Sequence, residues 1–237
     1  MKAIFISVRT GSSRLPNKSI LKIKDKHTIE YVINSVKKSK YADKIVLCTT
    51  KKPEDNILCE IAKKNNISYY KGSEHDKFKR WYWAAMEYNV GFFVTVDGDD
   101  LFYDSKLADI CFEKGEGYQF VNGQGLYNDT YGFKLSTVEN IIERANGKLV
   151  EPHETSNFVS DINLKTLILK DVPDILKKKN IRMTLDYQED FDFFKAIIEN
   201  LDEDFNLEDV LNYVENNKSV IDINYFREHD WKINQGI

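Results

Sequence analysis

Strands and helices alternate through roughly the first hundred residues, and this alternation predicts an α/β fold with a mostly parallel sheet flanked by helices. Two further observations agree. The apolar runs are short and bounded by polar loops, as buried strands are. The composition, 42% hydrophobic and 30% charged with 4 prolines in 237 residues, is that of an ordinary globular protein and argues against disorder.

The elements follow in order. "KAIFISV" (residues 2–8) reads as a buried strand. "TIEYVINSVKKSK" places Ile29, Val32, Ile33 and Val36 at helical spacing and ends in lysines that suit a helix C-terminus. "KIVLCTT" is the next strand. "PEDNILCEIAKKNN" opens with proline and two acids, a helix-start signature. "ISYYKG" reads as a strand, "HDKFKRWYWAAMEYN" as a helix and "GFFVTVD" as a strand again. Beyond Asp104 the order loosens. "GYQFVNG" and "TYGFKLS" read as strands, "TVENIIERA", "DFDFFKAIIENL" and "LEDVLNYVENN" as helices, and "LKTLILKDVP" fits either. No linker, low-complexity tract or repeat interrupts the chain, so one domain spanning 1–237 is expected.

The formal charge is −4, which gives no support for a nucleic-acid partner and makes any anion site local. No apolar run reaches membrane-span length. "MKAIFISVRTG" has too short an apolar stretch for a signal peptide and runs into an arginine-bearing loop without a cleavage site. Cys48, Cys59 and Cys111 form no CxxC pair and read as buried thiols of a reducing compartment. A cytoplasmic protein is expected.

Ligands of open α/β sheets bind at the C-terminal ends of strands, and three polar clusters fall there. The first is "VRTGSSRLPNKS". Residues 1–24 hold six lysines and arginines and no acid. Backbone amides near Gly11, Ser12 and Ser13 could line an anion, with Arg9, Arg14 and Lys18 neutralising it; a solvated basic loop is the plainer alternative. The loop is not a P-loop, because Pro16 stands at the second glycine position and Lys18 arrives one residue late. The second cluster is "VDGDD", with Asp97, Asp99 and Asp100. Clustered carboxylates are stable together mainly around a cation, although an acidic turn with a helix cap accounts for them equally simply. The third is "TLDYQEDFDFF". Taken alone, its Asp186, Glu189 and Asp190 read as a helix cap with first-turn acids. Asp186 gains interest if it folds back toward Asp99. Among the histidines, His153 in "EPHETSN" has the one polar, loop-like setting.

"RTGSSRLPNK" resembles the R-x-G-S-x-R-L-P-x-K signature of the bacterial cytidylyltransferases that activate acidic sugars, such as the 3-deoxy-manno-octulosonate and acylneuraminate cytidylyltransferases. "KIVLCTTKKPEDN", "YYKGSEHDKFKRWYWAA", "VTVDGDD", "IRMTLDYQEDFDFFKAI" and "FNLEDVLNYVENN" are similar, in the same order, to blocks of the spore coat polysaccharide biosynthesis branch of that group. The resemblance implies a Rossmann-like nucleotidyltransferase fold and transfer of CMP from CTP to an acceptor, an acidic sugar for surface polysaccharide, with release of pyrophosphate. By motif position it implies that Arg9, Arg14 and Lys18 hold the triphosphate, with backbone contacts from Gly11, Ser12 and Ser13. It places Asp99 and Asp186 on Mg²⁺, Asp97 at the ribose, Ser73 in the block that reads the base, and His153 toward the acceptor. Arg14, Lys18 and Asp99 would carry the catalytic role. A small anionic acceptor is the implied partner, and a homodimer the implied assembly.

The chain departs from the pattern at Asn17, where glycine is usual, at "DGDDLF", which lacks a following proline, and at "PHETS", where relatives carry E-H-V-T-P. Two other readings remain at this point. "DGD" is also the D-x-D of GT-A glycosyltransferases, which use a nucleotide sugar, and a non-catalytic nucleotide-binding protein would keep the same loop.

Overall fold

A computed structural model describes residues 1–155, 164–177 and 179–235. The expected fold class is found. Among the described residues, seven strands form one sheet, ordered β5-β4-β1-β6-β8-β7-β9. They are β1 (Lys2–Ser7), β4 (Lys44–Thr50), β5 (Ser68–Gly72), β6 (Phe92–Asp97), β7 (Phe120–Asn122), β8 (Tyr131–Lys134) and β9 (Thr166–Ile168). β2 (Lys22–Ile23) and β3 (Lys26–His27) make a separate two-stranded hairpin. β8 alone runs against its neighbours β6 and β7, while the other pairs in the large sheet are parallel. "LKTLILKDVP", open on sequence, supplies β9.

The helices are α1 (Thr28–Val36), α2 (Asn56–Lys64), α3 (Lys77–Glu87), α4 (Ser105–Lys114), α5 (Leu135–Ala145), α6 (Gln188–Ile198), α7 (Leu207–Asn216) and α8 (Arg227–Gln235). Strand alternation sorts them onto both faces of the sheet. Ile4, Ile6 and Val8 pack with Val32 of α1, Leu58 of α2 and Leu107 of α4. Ala3 and Phe5 pack with Trp81 of α3 and Val138 of α5. Trp81 is thus core, as its helical setting suggests, whereas Trp83 is exposed.

A third cluster positions the site. Leu15 of the opening loop and Tyr31 of α1 pack with Phe193 and Phe194 of α6 and Val210 of α7. The C-terminal helices therefore clamp the loop from outside the sheet. The three cysteines are free and buried, as expected. Among the described residues no helix is long and apolar enough to cross a membrane.

Candidate active site

The opening loop leaves the C-terminal end of β1 and is tied down at Thr10. The Thr10 N–H and hydroxyl both donate to Asp55 Oδ1, at 2.8 and 2.7 Å, and the Thr50 hydroxyl donates to Asp55 Oδ2. Thr10, Thr50 and Asp55 are all buried. Burial works against the Asp55 charge, but the hydrogen bonds from Thr50 and Thr10 hold its carboxyl below the ordinary value. Asn17 adopts φ 59°, in the left-handed region that asparagine tolerates best after glycine, which accounts for its standing at a glycine position. Gly11 and Ser13 are exposed and Ser12 is half-buried, and all three line the cleft.

"VDGDD" follows β6. The Gly98 N–H donates to the Ser7 carbonyl at 2.9 Å, which seats the turn beside β1. A Cβ at residue 98 would lie 2.7 Å from Val8 Cβ, so glycine is the residue that allows this approach. The Leu185 N–H in turn donates to the Asp99 carbonyl at 3.0 Å, bringing "TLD" alongside. Asp186 does fold back toward Asp99.

The two acids meet at one cation. Lys18 Nζ donates to Asp99 Oδ2 at 2.7 Å, to Asp186 Oδ1 at 2.8 Å and to the Leu185 carbonyl at 2.6 Å. Arg14 donates to the same Asp186 oxygen at 2.6 Å and lies over the Tyr187 ring. Burial opposes the Lys18 charge, yet the two carboxylates override it and hold the ammonium above its usual value. Burial likewise opposes the charge of Asp186, and Lys18 and Arg14 hold its carboxyl below the usual range. Asp100 differs. It is buried, and burial together with the neighbouring Asp99, Asp97 and Asp129 pushes its carboxyl well up, toward the neutral form.

The helix-cap reading of the third cluster is also realised, by Asp190. Its buried carboxylate accepts from the Asp186 and Tyr187 N–H groups, each at 2.9 Å, and from Arg182 Nε at 2.8 Å. Arg182 reaches back to Asp186 Oδ2 at 3.5 Å and to Glu228 of α8 at 3.4 Å. Glu189 pairs with Arg227.

Arg14, Lys18, Asp99, Asp100 and Asp186 line a cleft of about 780 Å³ at the C-terminal ends of β1, β5 and β6. Arg9, Asp97, Glu74 and Lys77 stand on one wall, and Arg182 and Trp231 on another. Arg9 donates to the Glu74 carbonyl at 3.4 Å. The Ser73 hydroxyl accepts from the Asp76 N–H at 3.1 Å, so it braces the start of α3. His153 lies in the 3-10 turn Pro152–Glu154, and its side chain falls outside the described residues.

Among the described residues no three His, Cys, Asp or Glu side chains gather as a metal cage. Asp99 and Asp186 nevertheless converge on one cation, the Lys18 ammonium. Two hard carboxylates of this kind fit Mg²⁺, which keeps several waters and takes its other oxygens from substrate phosphates. Asp55, Arg80, Lys77 and Arg182 carry no motif in the sequence. Asp55, Lys77 and Arg182 each have one partner far along the chain, in Thr10, Glu151 and Glu228, and the local signals of all four are those of ordinary helix, turn and loop residues.

A family model described as "Cytidylyltransferase" matches residues 3–229. The solved structure of a cytidylyltransferase from Leptospira borgpetersenii serovar Hardjo-bovis is similar, with a TM-score of 0.79 and 28% identity over 93% of this chain and 96% of that one. An uncharacterized protein of Methanocaldococcus jannaschii is 28% identical over 232 residues, 94% of this chain and 95% of its own. The spore coat polysaccharide biosynthesis protein SpsF of Bacillus subtilis is 23% identical over 202 residues, 81% of this chain and 84% of its own.

Proposed function

The chain belongs to the cytidylyltransferase family, and on that premise we propose that it transfers CMP from CTP to a small acidic sugar, as a single cytoplasmic nucleotidyltransferase domain. The observation that carries the reading is the meeting of Arg14 and Lys18 with Asp99 and Asp186 at one point of the cleft. A basic loop facing two carboxylates suits a triphosphate with its divalent cation. The acceptor class in this reading is a nonulosonic or octulosonic acid, and its use in surface polysaccharide draws support from the likeness to the spore coat polysaccharide biosynthesis protein.

In the proposed reaction an acceptor oxygen attacks the α-phosphorus in line. The new O–P bond forms as the bond from that phosphorus to the bridging oxygen breaks, pyrophosphate leaves with the electron pair, and the proton of the acceptor hydroxyl passes to water. Positioning and charge stabilisation carry most of such a step. Arg14 and Lys18 would exchange their carboxylate partners for phosphate oxygens, Arg14 with its two-pronged fork. Arg9 and the backbone of Gly11, Ser12 and Ser13 would steady the β- and γ-phosphates, and Asp97 the ribose. Ser73 would act through the backbone at the base end, and His153 would face the acceptor. Asp99 and Asp186 would hold Mg²⁺, which when bound supplies neutralisation of phosphate charge. A homodimer is the proposed assembly.

The test is a thermal-shift comparison of CTP, ATP, GTP, UTP and UDP-glucose with and without Mg²⁺, followed by acceptor screening through pyrophosphate release. A ligand at ~100 times its Kd stabilises by about 2.7 kcal/mol. A shift selective for CTP is expected. A shift with UDP-glucose alone would point to glycosyl transfer, and CTP binding without pyrophosphate release under any acceptor would point to a nucleotide-binding protein.

A further inference from the structure

Every hydrogen of the Lys18 ammonium has an oxygen to itself. Asp99 Oδ2 lies at 2.7 Å, Asp186 Oδ1 at 2.8 Å and the Leu185 carbonyl at 2.6 Å. An ammonium has three donors and no acceptor, so this set saturates it. The ammonium stands between the two carboxylates that would hold Mg²⁺ and takes one oxygen from each. Carboxylates brought together repel unless a cation lies between them. Here the chain supplies that cation itself.

The two oxygens of Asp186 are served differently. Oδ2 faces Arg182 at 3.5 Å, and that guanidinium is fixed by Asp190 and only 1% exposed. Oδ1 takes Lys18 and Arg14, whose side chains are 14% and 29% exposed and line the cleft. The buried partner is a planar arginine, whereas Lys18 carries a compact charge on a flexible four-carbon stem. The Lys18 backbone is held in place. Its N–H donates to the Leu15 carbonyl at 3.3 Å, and its carbonyl accepts from the Thr28 hydroxyl at 2.5 Å. Rotation of the stem is therefore enough to move the ammonium while the loop stays put. Charge balance agrees. Asp99, Asp186, Lys18 and Arg14 form a neutral quartet. A divalent cation entering alone leaves a part-buried excess of positive charge, which is costly. Entering with a triphosphate, it leaves none.

We propose that Lys18 is a built-in counter-ion of the metal site, holding Asp99 and Asp186 against free Mg²⁺ and yielding them when a triphosphate offers its ammonium phosphate oxygens. The inference rests on the cytidylyl-transfer reading and adds that metal and nucleotide are taken up together. By linkage, the triphosphate raises the affinity for the metal by the factor by which the metal raises the affinity for the triphosphate.

The experiment titrates Mn²⁺, without nucleotide, into the wild-type chain, Lys18→Met and Arg14→Met, and reads the free ion by electron paramagnetic resonance. Arg14 controls for net charge, because it bonds the same Asp186 oxygen and, among the described residues, forms no ion pair with Asp99. Lys18→Met should bind Mn²⁺ about 10- to 100-fold more tightly than wild type, the span of one charge-assisted contact. Arg14→Met should gain less, since the ammonium still stands between the carboxylates. Equal affinity in wild type and Lys18→Met overturns the proposal, as does an equal gain in Arg14→Met. The melting temperature gives a second readout. Mg²⁺ alone should raise it in Lys18→Met and leave it little changed in wild type. If Lys18→Met is unfolded without metal, Mg²⁺ alone should restore its circular dichroism by replacing the missing counter-charge, and failure to do so overturns the proposal. These measurements use the metal alone. A wild-type chain that fails to bind CTP with Mg²⁺ is a separate result, which removes the cytidylyl-transfer reading.

Discussion

Replacing Asp55 with alanine should uncouple the basic loop from the sheet. Its carboxylate takes the Thr10 N–H, the Thr10 hydroxyl and the Thr50 hydroxyl, all in a buried setting. A buried N–H left without an acceptor costs ~2 kcal/mol, and hydroxyls that can rotate to new partners cost less, so ~1 kcal/mol covers both. The expected loss for Asp55→Ala is therefore about 3 kcal/mol. Asp55→Asn keeps an oxygen for Thr10 and should lose about 1 kcal/mol. Urea midpoints at constant m measure both. The pH dependence gives a second check. The folded carboxyl titrates below its ordinary value, so its contribution is complete above the unfolded value of roughly 3.9 and fades as pH falls through the lower folded one. The gap between wild type and Asp55→Asn should close on acidification below about pH 4. Because Thr10 lies between Arg9 and Gly11, Asp55→Ala should also raise the KM for CTP more than it lowers kcat. An Asp55→Ala midpoint within about 0.5 kcal/mol of wild type would refute the anchoring argument.

Arg14→Ala should lower turnover about 100-fold by pyrophosphate release, with the melting temperature little changed because the side chain is part-exposed. Gly98→Ala drives a methyl into Val8 and should cost about 1–3 kcal/mol by chemical denaturation, with a larger fall in activity as Asp97 and Asp99 are displaced. Asp190→Ala removes the nearest counter-charge of the buried Arg182 and the acceptor of the Asp186 and Tyr187 N–H groups, and should destabilise by about 3 kcal/mol; a variant as stable as wild type would show that this network carries no weight. Chelation with EDTA should abolish pyrophosphate release, and added Mg²⁺ should restore it.

The first half of the fold is legible because each element carries its own period and punctuation. Asp76 caps α3 with its side chain, as the sequence order "HDKFK" suggests. The reading passes over α4, although its signals are present: Asp104 caps it, and Leu107 and Cys111 are buried one turn apart. The acids just ahead of it read as a loop, which hides the start. The reversal of β8 has no local signal. It is decided by pairing, with Gly132 opposite Val94 on one side and Val121 on the other. Within the candidate site, Arg14 and Lys18 stand out in one short basic motif and Asp99 in a separate acidic one, while their meeting has no local signal. Asp186 is ambiguous on sequence because Asp190, four positions on, takes the capping role that both acids advertise. Asp55, Arg80 and Arg182 resemble any turn acid or helix arginine until their partners are known.

The bond between Arg14 and Asp186 spans 172 positions, and that between Lys18 and Asp99 spans 81. During synthesis the ribosome delivers the basic loop first, Asp99 midway and Asp186 near the end. A nascent chain that has emerged through α5 carries the cationic loop with half of its counter-charge, and it lacks the aromatic cluster of α6 that seats Leu15. Long-range closure of this kind comes late in folding. A site built from these four side chains, as proposed, would therefore be complete only after α6 has emerged.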